Sequence, residues 1–435
     1  MRHDLFWNSP TLGWTYQLAY MLMHGAMLAK TKVRHYPLVE TFDAWESWDV
    51  LHTVPQRLRW GIWAYSHSAV KTPHGIVMPQ GSYISWANQG KRLLSDSDVQ
   101  FLSTNLNAAV TDAAETKEVY GPTLVYSRSA MQWQADHAQP NKDVKEWIDE
   151  QAGSIIKWPV PVLSSTRIEW LGSIRADLAI VQTPAHLSPE EFAILRKRID
   201  DGRPTAIFGS FAGGVDSRLL ECVGLPRFTT TETKATVHQA NQVQPYGLDI
   251  EHIPLKFPIL EKLDTELDGA TVMQNRAAQV IYETGGNPAL LIEWNLSREL
   301  VLWDSPECSS GCCKPLREIW GGSAAPYTLA AASLNELLKD AGDLHTAIID
   351  MDQTGTVAAW RTADGKLHLL AGNLEEGLRE DADHCRHVSL VLPVAWRTLS
   401  WASVWDHRVL KVDSAGILQV ELPPEGSLLL EATSQ

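Results

Sequence analysis

Cysteine is scarce in this chain, with 5 among 435 residues, and four of the five fall late, so a disulfide framework is excluded as the main source of stability. A reducing, cytoplasmic location is the expectation. Basic residues are short as well: 37 Lys and Arg against 52 Asp and Glu leave a formal charge of -15. Nucleic acid and anionic membrane both select clustered cations, so neither is expected as a partner, and a neutral ligand fits better. Charge is missing altogether from Leu5 to Ala29. A signal peptide or membrane helix would need an unbroken apolar run, whereas Asn8, Pro10, Gln17, His24 and Gly25 interrupt this one and no small-residue cleavage site follows. A buried strand-loop-helix is the expectation there. Repeats and low-complexity tracts are absent too, and the length calls for about two to four domains.

Tryptophan is abundant instead, 18 in all, and Trp7, Trp14, Trp45, Trp48, Trp60, Trp63 and Trp86 crowd the first ninety residues. Flat indole faces suit the C–H faces of sugar rings, and their N–H can meet a hydroxyl; core packing is the other use, expected for most of them.

The segment from Ala176 to Asp216 is the most informative. Leu178–Val181 and Thr205–Phe208 are short continuous apolar runs, as in strands of a parallel sheet covered on both faces. Between them Ser188 suits an N-cap, Pro189 the first helical position and Glu191 the third, with Arg196, Lys197 and Arg198 toward the end and Gly202 as the stop. Such a unit belongs to an open, flavodoxin-like sheet.

The wording of this unit resembles the middle, trimerisation domain of family 42 glycoside hydrolases, which has a class I glutamine amidotransferase-like fold. GGNPALLIEWNLSRELVLW (Gly285 to Trp303) resembles that domain's late hairpin, and PYTLAAASLNELLKDAG (Pro326 to Gly342) its last helix.

Three regions follow. Residues 1–118 alternate helices (Thr11–Lys30, Pro55–Val70, and Ser95–Thr116 capped by Ser95 or Ser97) with strands (Val33–Glu40, and His74–Trp86 as a strand and irregular loop). That is the rhythm of a partial (β/α) barrel, an α/β fold whose site gathers at the carboxyl ends of its strands. Residues 119–343 carry the flavodoxin-like pattern, beginning with the strand Pro122–Ser127. Residues 344–435 read as an antiparallel β-sandwich: a hairpin turns at Ala363-Asp364-Gly365, and strands are expected at Val388–Leu392, Val409–Val412, Ile417–Leu422 and Ser427–Glu431. Order and organisation match the last part of a family 42-like enzyme, with the first barrel strands missing.

The resemblance implies a retaining glycosidase acting on a β-linked sugar, a β-galactoside among the candidates, assembled as a homotrimer and needing no cofactor. Its nucleophile would be Glu40, ending the strand Val33–Val39, followed by a loop through Trp45. The other use of Glu40 is a strand-end carboxylate paired with Arg34 or Arg57. In the family an aromatic lines the sugar site where Trp86 falls; Tyr83, Gln80 and Asn88 are candidate hydroxyl partners, with Trp45, although ordinary loop packing explains such residues equally well.

A retaining mechanism needs a second carboxylate about 5 Å away. Only Asp4 is acidic before Glu40, Asn8 is followed by Ser9 rather than Glu, and Asp43 and Glu46 share the loop of Glu40. The chain is then a fragment, a subunit completed by another, or a protein that has lost catalysis, with a non-catalytic carbohydrate-binding or scaffold role as the alternative function.

Cys308, Cys312 and Cys313, and Asp383, His384, Cys385 and His387, lack paired zinc-ligand spacing, so no metal is expected. Phe208 to Gly214 carries Ser210 but no cysteine and no nucleophile elbow, which argues against glutamine hydrolysis. Asn295-Leu296-Ser297 reads as a turn rather than a glycosylation site.

Overall fold

The computed structural model describes residues 10–43, 48–53, 55–87, 94–137, 160–182, 184–209, 216–222, 234–239, 266–268, 278–284, 287–293, 300–304, 334–335, 338–339, 341–346, 356–373, 386–422 and 426–433. The first helix, α1, spans Pro10–Leu28. Its Leu18, Ala19, Leu22, Met23 and Ala26 are buried. No helix among the described residues is long and apolar enough to cross a membrane.

Strand β1 covers Leu38–Asp43, later than the expected Val33–Glu40. Pro37 explains the late start: with no N–H it cannot donate to a ladder. Its carbonyl still accepts from Tyr83 N (3.1 Å), and that of His35 from Gln80 N (3.0 Å), so the approach is tethered without being a strand. Glu40 is therefore inside the strand, and Thr41, Phe42 and Asp43, expected in a loop, continue it. A short β2 (Trp48–Asp49) pairs antiparallel to the end of β1.

After α2 (Val50–Thr53) comes α3 (Pro55–Ser66), opened by proline and buried along most of its length. It stops before the expected Val70, and side chains share its last carbonyls with backbone N–H groups. His67 Nδ1 faces the Trp63 carbonyl oxygen at 2.8 Å, and Ser68 Oγ donates to that of Tyr65, also at 2.8 Å. The chain then forms a hairpin, β3 (Ala69–Thr72) with β4 (Gly75–Val77), and reaches β5 (Tyr83–Ala87), which lies parallel to β1. Helix α4 (Asp96–Glu115) is capped by Ser95, which accepts from Asp98 N while the Asp98 carboxylate accepts from Ser95 N.

Among the described residues the largest sheet holds 11 strands. Its parallel centre is β7 (Thr123–Tyr126), β8 (Ser164–Arg167), β9 (Ala179–Gln182), β10 (Thr205–Gly209) and β15 (Leu300–Asp304), in the spatial order β8-β7-β9-β10-β15. Numbered along the chain that order is 2-1-3-4-5. β3 adds a parallel neighbour outside β8, so a strand from early in the chain joins this sheet. On the other side β14 (Asn287–Glu293) pairs antiparallel with β15, forming the expected late hairpin. Helix α5 (Arg128–His137) follows β7, and α6 (Pro189–Asp200) follows β9 with the Ser188–Glu191 capping box complete. Within Pro326–Gly342, the described residues Leu334, Asn335, Leu338 and Lys339 are helical.

The remaining strands are antiparallel. β6 (Thr116–Val119), β17 (Thr356–Thr362), β18 (Leu367–Gly372), β20 (Ser400–Ser403), β21 (Val409–Leu410) and β23 (Ser427–Thr433) form a six-stranded sheet. β16 (His345–Thr346), β19 (Arg386–Val391) and β22 (Ile417–Leu422) form a three-stranded one. Trp401 from the first and Val388, Leu418 and Val420 from the second share one core. β20 is an addition to the sequence expectation, and β6 comes from before residue 119. A second core runs without a break from α1 and α3 to Trp360, Leu370 and Leu429 of the six-stranded sheet. Trp60, Trp63, Trp170, Trp360, Trp396 and Trp401 are all core residues.

Candidate functional site

In parallel β/α structures the carboxyl ends of the strands form the site, because the loops that follow them gather there. β1 and β5 are such a pair, each followed by helix. Their register sets Glu40 opposite Ser85 and Phe42 opposite Trp86, with an irregularity between Glu40 and Phe42 that makes Thr41 the extra residue. Bulges are uncommon in parallel pairs and recur beside active sites, where they re-aim side chains. Thr41 is fully buried.

Glu40 and Trp86 thus belong to adjacent strands at nearly the same level. Tyr83 and Gln80 do not share that level. Tyr83 opens β5 opposite Leu38, three residues before Trp86, which is about 10 Å along a strand. It is 54% exposed, and Gln80 is exposed in the turn before it. The nearby His35 imidazole is held below its ordinary value by burial. Asn88 and Trp45 lie outside the described residues, as do Glu46, Ser210 to Gly214, Asn295, Cys308, Cys312, Cys313, Asp383, His384 and Cys385. His387 is in β19. Among the described residues no group of three or more His, Cys, Asp or Glu side chains is placed to hold a metal ion.

The carboxyl edge of the large sheet has a different occupant. Glu191, 4% exposed, accepts from Ser188 N (3.1 Å) of its own cap. It also reaches across to the start of α5, accepting from Ser127 Oγ (3.1 Å), Arg128 N (3.0 Å) and Ser129 N (3.4 Å). A helix N-terminus after a parallel strand is where such sheets commonly seat a phosphate. Here the protein's own carboxylate fills it, which argues against a phosphorylated ligand at that position.

Sequence reasoning missed a polar cluster between the helices and the six-stranded sheet. Asp112 of α4 has His67 Nε2 at 2.8 Å from Oδ1 and accepts there from Trp360 Nε1 at 2.6 Å, while His368 Nδ1 lies 3.2 Å from Oδ2. The other ring nitrogen of His368 is 3.2 Å from Glu431 Oε2, which also meets Lys366 Nζ at 3.2 Å. Burial alone would raise the Asp112 carboxyl, but the adjacent His368 and His67 imidazoles outweigh it and hold it far below the usual range. Burial alone would lower His368, and the two carboxylates outweigh that and raise it. His67 lies just past α3 and Asp112 in the last turn of α4, neither of them in β1 or β5. The cluster is thus a separate feature of the fold.

The chain matches no protein-family model, and no curated protein is similar to it by sequence. Solved structures are similar in shape. A β-galactosidase from Rahnella sp. R3 superposes with a TM-score of 0.57 at 12% identity, over 98% of this chain and 58% of that one. A catalytic mutant of Gan42B, a GH42 β-galactosidase from G. stearothermophilus, gives 0.47 at 12% identity over 86% of this chain and 56% of its own. The chain therefore spans a little over half the length of the enzymes it matches, and its fold is similar to that part of a β-galactosidase.

Proposed function

We propose that this chain is the late-barrel and following part of a retaining glycoside hydrolase acting on a β-linked sugar, a β-galactoside being the first to test. Glu40 is the nucleophile in this reading. Trp86 stacks on the sugar, and Asn88, Trp45, Tyr83 and Gln80 supply further contacts. The observation that carries the reading is the parallel β1–β5 pair, with Glu40 and Trp86 in near register and a bulge between Glu40 and Phe42. The overall likeness to the Rahnella fold supports it.

The finer architecture belongs to the same reading. β1 and β5 are late strands of a partial (β/α) barrel in residues 1–118, and residues 119–343 are a flavodoxin-like trimerisation domain, which the 2-1-3-4-5 order supports. Residues 344–435 are a β-sandwich, and the protein works as a cytoplasmic homotrimer. A solution mass measurement reporting a monomer at micromolar concentration would remove the trimer from it.

In the chemistry Glu40 attacks the anomeric carbon, and a second carboxyl group must protonate the leaving oxygen. No Asn-Glu pair precedes Glu40 in the chain. The alternative reading is a non-catalytic carbohydrate-binding or scaffold protein.

The experiment that separates the two uses 2-fluoro glycosides with activated leaving groups, which lessen the need for a general acid. A stable mass adduct mapped to Glu40, and lost in Glu40→Gln, is expected. No adduct with any sugar would leave the binding or scaffold reading.

A further inference from the structure

His368 lies in β18, 5% exposed, with a carboxylate beside each ring nitrogen: Glu431 Oε2 in hydrogen-bond contact with Nε2 at 3.2 Å, and Asp112 Oδ2 3.2 Å from Nδ1, an ion-pair contact out of line for a hydrogen bond. An ionised carboxylate has no proton to offer, so His368 attracts both carboxylates only when its imidazole is charged. The two carboxylates come from different parts of the fold. Asp112 is on α4, which packs against α3, whereas Glu431 is on β23 of the same sheet as His368. The proton on His368 therefore joins one layer to the other.

We propose that His368, held between Asp112 and Glu431, is a proton-operated clasp that fastens the six-stranded sheet to α3 and α4. It is closed when the imidazole is charged and loosened when the proton leaves. This does not depend on the glycosidase reading.

The other charged groups facing the cluster are few. His67, at the end of α3, approaches Asp112 from the side away from His368 and stacks on Trp360, with ring centroids 4.0 Å apart. Lys366, in the β17–β18 turn, pairs with Glu431 at 3.2 Å and lies 4.0 Å from Asp364. When His368 loses its proton, Lys366 still neutralises Glu431, and His67 and Trp360 still contact Asp112. With the remaining hydrogen on Nε2, which is aligned with Glu431, what fails is the ion pair that crosses between the layers at Nδ1, where a lone pair now faces Asp112.

The sign follows from linkage. His368 is raised in the folded state, so its contribution is full below the unfolded value and is lost as pH rises through the folded one. Asp112 is lowered, so its contribution is present above the unfolded carboxylate value and is lost only as pH falls through the folded one. The clasp is thus closed across mildly acidic pH and opens on the alkaline side. Lys71, lowered to about 8 by desolvation, acts with the opposite sign over part of that range, because a depressed lysine favours folding as pH rises. The test must therefore compare variants rather than read one pH profile.

The experiment is thermal unfolding of the full chain at about pH 6 and about pH 9, on either side of the histidine range, for the wild type and His368→Gln. The wild type should lose more Tm than the variant between the two conditions, and the variant should be the less stable at the acidic one. Equal losses in the two proteins would overturn the proposal. Should His368→Gln not fold, Glu431→Gln carries the same comparison: it removes one of the two negative charges that hold the His368 proton, so its alkaline loss should shrink. A loss as large as the wild type's would overturn the clasp.

Discussion

Trp360 and His67 converge on one atom: their rings stack with centroids 4.0 Å apart and a 29° tilt, and both place a ring N–H against Asp112 Oδ1. One belongs to the six-stranded sheet and the other to the end of α3, so a single carboxylate oxygen ties a strand to two helices.

Trp360→Phe tests that tie. The ring would still fill most of the space, but Asp112 would lose its indole donor at a part-buried position. An unmet buried acceptor costs about 1–3 kcal/mol, and the remaining histidine contacts place this variant toward the lower part of that range. Urea unfolding of the two proteins measures it. An unchanged midpoint and slope would show that the indole N–H contributes nothing to the tie.

Glu191 is the second test. It completes the capping box of α6 and also accepts from the first two N–H groups of α5. Glu191→Ala leaves both helix starts without that acceptor, and with two caps affected the expected loss is about 2–4 kcal/mol. Glu191→Gln keeps one acceptor oxygen and turns the other into a donor facing donors, so it should fall between the wild type and Ala. Chemical unfolding orders the three, and a Gln variant as weak as Ala would mean that only the charge matters.

These tests differ in how visible their residues are in the sequence. Ser188, Pro189 and Glu191 lie within four positions, so the capping box could be read directly, although the reach of Glu191 to Ser127 across 64 residues could not. The hairpin at Asp364-Gly365 was equally local, with Gly365 at φ 89° closing the turn. Trp360 and Asp112 are 248 residues apart, and each alone looks ordinary: an indole in a buried strand, and an acid on a helix face. Nothing short of the folded chain brings them together. The same holds for β3. Ala69–Thr72 continues the apolar run of α3, and only pairing with Ser164 and Ser165 of β8 makes it a strand.

The candidate site was legible to a similar degree. The strand bearing Glu40 and the partner bearing Trp86 could both be placed, but their register needs the ladder itself. That ladder also separates Tyr83 from Trp86, which a linear reading had grouped together. Pro37 was the available signal for the late start of β1, since a residue that cannot donate marks where a ladder fails.

The junction between two sheets gives the last prediction. Gly121 sits between the end of β6, in the six-stranded sheet, and the start of β7, in the large one, with φ at 84°. A Cβ there would fall 1.8 Å from the carbonyl oxygen of Pro161, which is backbone and cannot swing aside. Gly365 has a similar φ of 89°, yet a Cβ on it would meet nothing within 4 Å. The pair separates strain from collision. Gly365→Ala should lose about 1 kcal/mol or a little more, the penalty of a left-handed backbone for a side chain. Gly121→Ala should lose at least about 3 kcal/mol, because the collision adds to the same strain and both sheets must shift to relieve it. Unfolding midpoints for the two variants decide the matter. Equal losses would mean that the junction yields easily and that the two sheets are not held in register by the close approach of Gly121 to Pro161.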